Sequence, residues 1–182
     1  MTFQALEPHD AEQIVEFSLQ FYPDELMLEV EDIAEALEVA EAEGGNFSVA
    51  LVEQGEMCGY MLAWIEESRA EGLKESVLLV DDVVLEEGYL SRLPQLFRHL
   101  VEQMEESGLG HLAIEGVLLP STRALFLGQA KAFRSLGYEL VASQEYYEEE
   151  VDLELTWVRY ERPAEVLASA SSEVWEGSEF LE

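Results

Sequence analysis

Three carboxylates occupy positions where carboxylates are unfavourable. Asp81 and Asp82 are adjacent in the apolar run 77-VLLVDDVVL-85, and Glu115 lies midway along 111-HLAIEGVLL-119. Burying an ionised acid in such a strand is costly unless it is paired or its pKa rises. A raised pKa is also what a base working near neutral pH requires. A plainer role is open to each acid, as partner of an arginine or of backbone N–H groups. Adjacent side chains on a strand point to opposite faces. One of Asp81 and Asp82 is therefore expected to meet a cleft, and the other a helix layer or solvent.

A second kind of chemistry is suggested by 85-LEEGYLSRLPQLFRHLVEQMEESG-108, where a strand turns into an amphipathic helix. A helix N-terminus presents unpaired N–H donors and a positive dipole end, which suit a phosphate. The turn from Tyr89 to Pro94 lacks the glycines such a site usually uses, and Pro94 has no N–H to offer. Arg92 and Arg98 are suited to phosphate oxygens, and equally to neutralising Glu102, Glu105 and Glu106. Other reactive side chains form no pattern. His9, His99 and His111 are spaced as no metal site is, and no metal is expected. The lone Cys58, in 57-MCGYMLAWI-65, reads as a small buried hydrophobe. Tyr60, Trp64, Tyr146, Tyr147 and Trp157 fall on expected strands, as core or as an aromatic pocket for an organic cation.

Alternation and helical spacing give the elements that must position these groups. Strands are expected over 2–6, 47–53, 57–66, 77–85, 111–119, 138–147 and 151–160. Helices are expected from Pro8, from Pro23-Asp24 to about Glu43, after the turn at 89–94, and over about 122–136 with Ser121 or Thr122 as N-cap. The third of these has Leu90, Leu93, Phe97, Leu100 and Met104 on one face. Gln54-Gly55-Glu56 reads as a hairpin turn, and 68–75 as a polar loop. The order implies an α/β (mixed α+β) fold, a mixed sheet of about six to seven strands flanked by about four helices. Residues 1–162 form one domain, and 163–182 an acidic tail whose Trp175 and Phe180 could anchor it to the domain or to a second copy in a homodimer.

Composition restricts the partners. Forty acids against nine bases leave a net charge of −31, and only Lys74 and Lys131 are lysines. That field repels nucleic-acid phosphates and anionic membranes, and attracts cations. It also serves solubility or life at high salt. A hydrophobic share of 48 % argues against disorder over 1–160. One cysteine cannot form an internal disulfide, and neither a signal peptide nor a membrane span is visible, so a cytoplasmic setting is expected.

Over roughly residues 3–160 the element order and three stretches resemble the GCN5-related N-acetyltransferase (GNAT) superfamily. The stretches are 80-VDDVVLEEGYLSRLPQLFRHL-100, 130-AKAFRSLGYELV-141 with its Gly137-Tyr138 turn, and 145-EYYEEEVDLELTWVRY-160. The resemblance implies transfer of an acetyl group from acetyl-coenzyme A to a primary amine. It implies that the donor's pantetheine arm lies between two splayed strands, with its pyrophosphate at the start of the third helix. Carried over, it sets the donor against Leu85, Tyr89, Leu90, Ser91, Arg92, Leu93 and Phe133. The base would be Asp82, Asp81 or Glu115, and the acceptor a cationic small molecule or a peptide amine. Two departures stand out. The family's Arg/Gln and glycine positions in the loop are Tyr89, Arg92 and Pro94, and Phe133 replaces a tyrosine that protonates the leaving thiolate. Tyr138, Tyr146 and Tyr147 are the later tyrosines that could substitute. The competing expectation is an inactive GNAT-fold acidic binding or regulatory module that has lost acetyl-coenzyme A. A third is an acyltransferase with another thioester donor.

Overall fold

The computed structural model describes residues 1–22, 28–70, 72–148 and 152–163. The tail expected over 163–182 lies outside these residues apart from Pro163, as does Met27 of the second expected helix. The chain runs β1 (Thr2–Ala5), a 3-10 turn (Pro8–Asp10), α1 (Ala11–Ser18), α2 (Val30–Ala42), β2 (Val49–Glu53), β3 (Glu56–Glu67) and β4 (Ser76–Leu85). A 3-10 helix (Glu87–Arg92) then leads into α3 (Leu93–Glu106), followed by β5 (Ile114–Leu118), α4 (Pro120–Leu127), α5 (Ala130–Ser135), β6 (Glu139–Glu148) and β7 (Leu153–Glu161). The strands form one seven-stranded sheet in the order β1-β2-β3-β4-β5-β7-β6. Among the described residues only β4 and β5 pair in parallel; every other neighbour is antiparallel.

Helices cover both faces of the sheet. Leu93, Leu96, Phe97, Leu100 and Met104 of α3 bury against Leu78, Val80, Val83 and Leu85 of β4. On the other face Ile14 and Phe17 of α1 and Ile33 and Leu37 of α2 meet Ala50, Tyr60, Leu62 and Val84. The β2–β3 hairpin turns through Gln54 and Gly55, both at positive φ (56° and 90°), a primed turn matched to strand twist. Gly59 lets β3 approach β4 closely, since a Cβ there would lie 2.8 Å from the Val84 carbonyl.

Several boundaries differ from expectation. α2 is helical from Val30, after Glu29 in extended conformation, and the start expected at Pro23-Asp24 lies outside the described residues. The helix expected over 122–136 is two, α4 and α5, separated at Gly128-Gln129. Neither Ser121 nor Thr122 caps it. Leu119 is the N-cap and Pro120 occupies the first turn, where a missing N–H is harmless.

Candidate active site

Strands β4 and β5 part company early. They are paired at Leu78–Ile114, Leu79–Glu115 and Val80–Gly116, and not beyond. Past those pairs they diverge around a cleft of about 210 Å³. Val80, Val83, Val117, Leu118 and Leu119 give it apolar walls, and Asp81, Asp82, Tyr22 and Thr122 bring polar atoms. Leu28 closes it from the chain between α1 and α2, and Leu155 from β7.

A bulge in β4 decides how its acids sit. Leu62 pairs with Asp82 and Ala63 with Val80, so Asp81 is an extra residue with no partner on β3. The extra residue resets the alternation. Val80, Val83 and Leu85 all reach the α3 face, whereas Val84 packs on the α1–α2 face. Simple alternation therefore fails here: Asp81 and Asp82 both line the cleft rather than dividing between cleft and helix layer.

Asp82 is tightly held. Tyr22 donates its hydroxyl to Oδ1, and Tyr60 donates to Oδ2 at 2.6 Å. Burial pushes the Asp82 pKa from 3.8 up to about 6, against the opposing pull of the two tyrosines. Asp81 lies nearer the surface, with Arg69 Nη2 3.9 Å from Oδ1. Burial raises its pKa too, and Arg69 offsets part of the rise.

Glu115 has a different environment and does not line the cleft. It is fully buried and accepts four kinds of donor: Ser68 Oγ at 2.6 Å, Arg69 N–H at 3.0 Å, Trp157 Nε1 at 3.0 Å and Arg159 Nη1 at 2.7 Å. Burial acts to raise its pKa, but the donors outweigh it and hold the carboxyl below its ordinary value. Arg159 also meets Glu75 and Glu161, so this network ties the β3–β4 loop to β5 and β7.

The stretch from Tyr89 to Pro94, which has no glycine, becomes helical. Tyr89 N–H donates to Glu86 O, and Leu93 N–H to Leu90 O. Tyr89 donates its hydroxyl to Glu53 at 2.7 Å. Ser91 and Arg92 are exposed, Tyr89 and Leu90 half-buried, and Leu93 is in the core. Arg92 reaches Gln95 Oε1 at 3.2 Å. Leu85 is buried against the Gly59 backbone. Phe133 is a core residue: its ring stacks on Tyr160 at 4.1 Å and meets Phe97 at 4.5 Å.

Among the later tyrosines, Tyr138 is buried, with its hydroxyl on the Leu112 and Gly110 carbonyls. Tyr147 is exposed and bonded to Asp152. The tyrosine that does line the cleft, Tyr22, sits next to Pro23 after the end of α1. Nothing in its sequence neighbourhood signals that position, because its partner Asp82 is sixty residues away. Among the described residues no group of His, Cys, Asp and Glu could hold a metal.

No family model matches the sequence, and no curated protein does. Solved structures match its shape. An acetyltransferase of the GNAT family from Streptococcus pneumoniae superposes with a TM-score of 0.60 at 15 % identity, covering 89 % of this chain and 99 % of its own. The fold is that of the GCN5-related N-acetyltransferases. Arabidopsis thaliana Naa50, in complex with the bisubstrate analogue CoA-Ac-MVNAL, matches this GNAT fold with a TM-score of 0.61 at 10 % identity, covering 89 % and 98 %. So does GphF, a GNAT-like decarboxylase in complex with isobutyryl-CoA, with a TM-score of 0.61 at 11 % identity, covering 88 % and 99 %. Proteins described as an acetyltransferase and as a decarboxylase thus share the GNAT fold, and what this chain does must be argued from its own cleft.

Proposed function

We propose that this protein is an N-acetyltransferase that moves an acetyl group from acetyl-coenzyme A to a primary amine, with Asp82 as the base. One observation carries the reading. At the mouth of two diverging parallel strands lies a carboxylate whose pKa, about 6, suits deprotonation near neutral pH. Only a free amine attacks a thioester, so an ammonium acceptor needs such a base. Asp82 is preferred to Glu115, which is outside the cleft and fully engaged by donors. Asp81 is the lesser candidate, since it shares Arg69 at the rim.

The residues fit the donor substrate unevenly. The apolar walls formed by Val80, Val83, Val117 and Leu118 suit a pantetheine arm. At the phosphate end, two loop N–H groups are already bonded within the 3-10 helix and Pro94 has none. There Ser91 and Arg92, both exposed, are the groups that would hold phosphate. Leu85, Leu93 and Phe133 would act from the core as support. The acceptor proposed is cationic, in keeping with Asp81, Asp82 and the overall charge of −31.

A second reading, a non-catalytic acidic binding module, is favoured by the same self-bonded loop. Titration calorimetry with acetyl-coenzyme A separates the two. The enzyme reading expects binding, and turnover with spermidine or with a pentapeptide carrying a free N-terminus and lysine at its second residue. Absence of heat and of thermal shift at millimolar donor would favour the binding module.

A further inference from the structure

Asp82 is engaged on both carboxylate oxygens, by Tyr22 and by Tyr60. The two tyrosines differ in where they sit. Tyr60 is fully buried and forms no part of the cleft wall, whereas Tyr22 lines the cleft. Thr122, the other hydroxyl among the described lining residues, donates back to the Leu119 carbonyl at 3.2 Å. A tyrosine hydroxyl has one proton to give and lone pairs with which to receive another.

Resting on the acyl-transfer reading above, we infer that Tyr22 is a proton relay, the group that touches the acceptor amine and through which Asp82 acts. The acceptor's ammonium gives a proton to Tyr22 Oη as Tyr22 passes its own proton to Asp82 Oδ1. The products of that step are a free amine, an intact Tyr22 and a neutral Asp82. The amine nitrogen then attacks the thioester carbonyl carbon, forming a C–N bond and breaking the C–S bond. The departing sulfur takes the Tyr22 proton, and Asp82 returns its proton to Tyr22. The surplus proton on the new amide nitrogen goes to water. In sum, ammonium plus thioester gives amide, thiol and one proton. Burial and the neighbouring Asp82 charge hold the Tyr22 hydroxyl far above its ordinary pKa of 10.0, so it enters each cycle protonated. The relay also supplies the sulfur with a proton that Phe133 cannot provide.

The test compares wild type, Tyr22→Phe and Tyr60→Phe with acetyl-coenzyme A and the two amines above. Tyr22→Phe should lower kcat about 100-fold and leave the KM for acetyl-coenzyme A within about twofold. Tyr60→Phe removes a bond that favours ionised Asp82. It should move the acidic limb of the pH–rate profile upward, with kcat at its plateau within about threefold of wild type. A proton inventory in mixed H2O and D2O should be curved for wild type, since two protons move together. That measurement needs no variant, so it stands if Tyr22→Phe fails to fold. A linear inventory, or a Tyr22→Phe kcat within threefold of wild type, overturns the relay alone. No turnover by the wild type with either amine overturns the acyl-transfer reading and the relay with it.

Discussion

In the proposed reaction the chemistry gathers at Asp82, and its protonation has a consequence for stability. Its folded-state pKa is raised from 3.8 to about 6. The folded state therefore binds the proton more tightly than the unfolded chain, and this favours folding fully below pH about 3.8. The advantage is lost as pH rises through about 6, and the difference amounts to about 3 kcal/mol. Asp82→Asn removes the titration. Urea unfolding from pH 4 to pH 8 should show the variant gaining on wild type across that window and then levelling. In activity the same substitution should lower kcat/KM at least about 100-fold, with loss of the acidic limb of the pH profile. A variant that kept both rate and limb would move the base elsewhere.

At the scale of elements, the decisive features are the bulge in β4, the early divergence of β5 and the self-bonded loop before α3. Along the same β3–β4 pair, Gly59 lets β3 lie close against Leu85. Gly59→Ala should destabilise by about 1–3 kcal/mol through overpacking, measured as a lower urea midpoint. The Glu115–Arg159 network secures the β3–β4 loop beneath Arg69. Arg159 keeps Glu75 and Glu161 if Glu115 is neutralised, so Glu115→Gln should cost about 2–3 kcal/mol, at or below the low end for a broken buried pair. Its kcat should fall far less than that of Asp82→Asn, and an equal fall would restore Glu115 as a base. In the loop, Arg92→Glu should raise the Kd for acetyl-coenzyme A about tenfold by calorimetry, since it replaces an exposed phosphate partner with a like charge.

The whole molecule carries 40 acids against 9 bases, so its own field opposes both compaction and the approach of an anionic donor. Salt screens exposed charges, and at about 1 M the screening length is only about 3 Å. Raising KCl from 0.05 M to 1 M should therefore raise Tm and lower the KM for acetyl-coenzyme A; a KM that rose would mean that attraction at Arg92 dominates binding. Much of the architecture was legible in the chain itself. Hydrophobic period, glycine turns and the Gln54-Gly55 hairpin mark every strand and the α3 helix, because these signals are local and a period of 2 or 3.6 survives without tertiary context. The acids of β4 and the strand–loop–helix at 85–108 were legible for the same reason. Their arrangement was not. Whether Asp81 and Asp82 share a face depends on one extra residue opposite β3, and which hydroxyls Asp82 receives depends on Tyr22 and Tyr60 arriving from elsewhere in the chain. The bonding of the loop before α3 and the burial of Phe133 on Tyr160 are likewise set by packing. The sequence by itself determined which groups are available and which elements hold them. Register, divergence and burial, which exist only between elements, decided which carboxylates face the cleft and with what proton affinity.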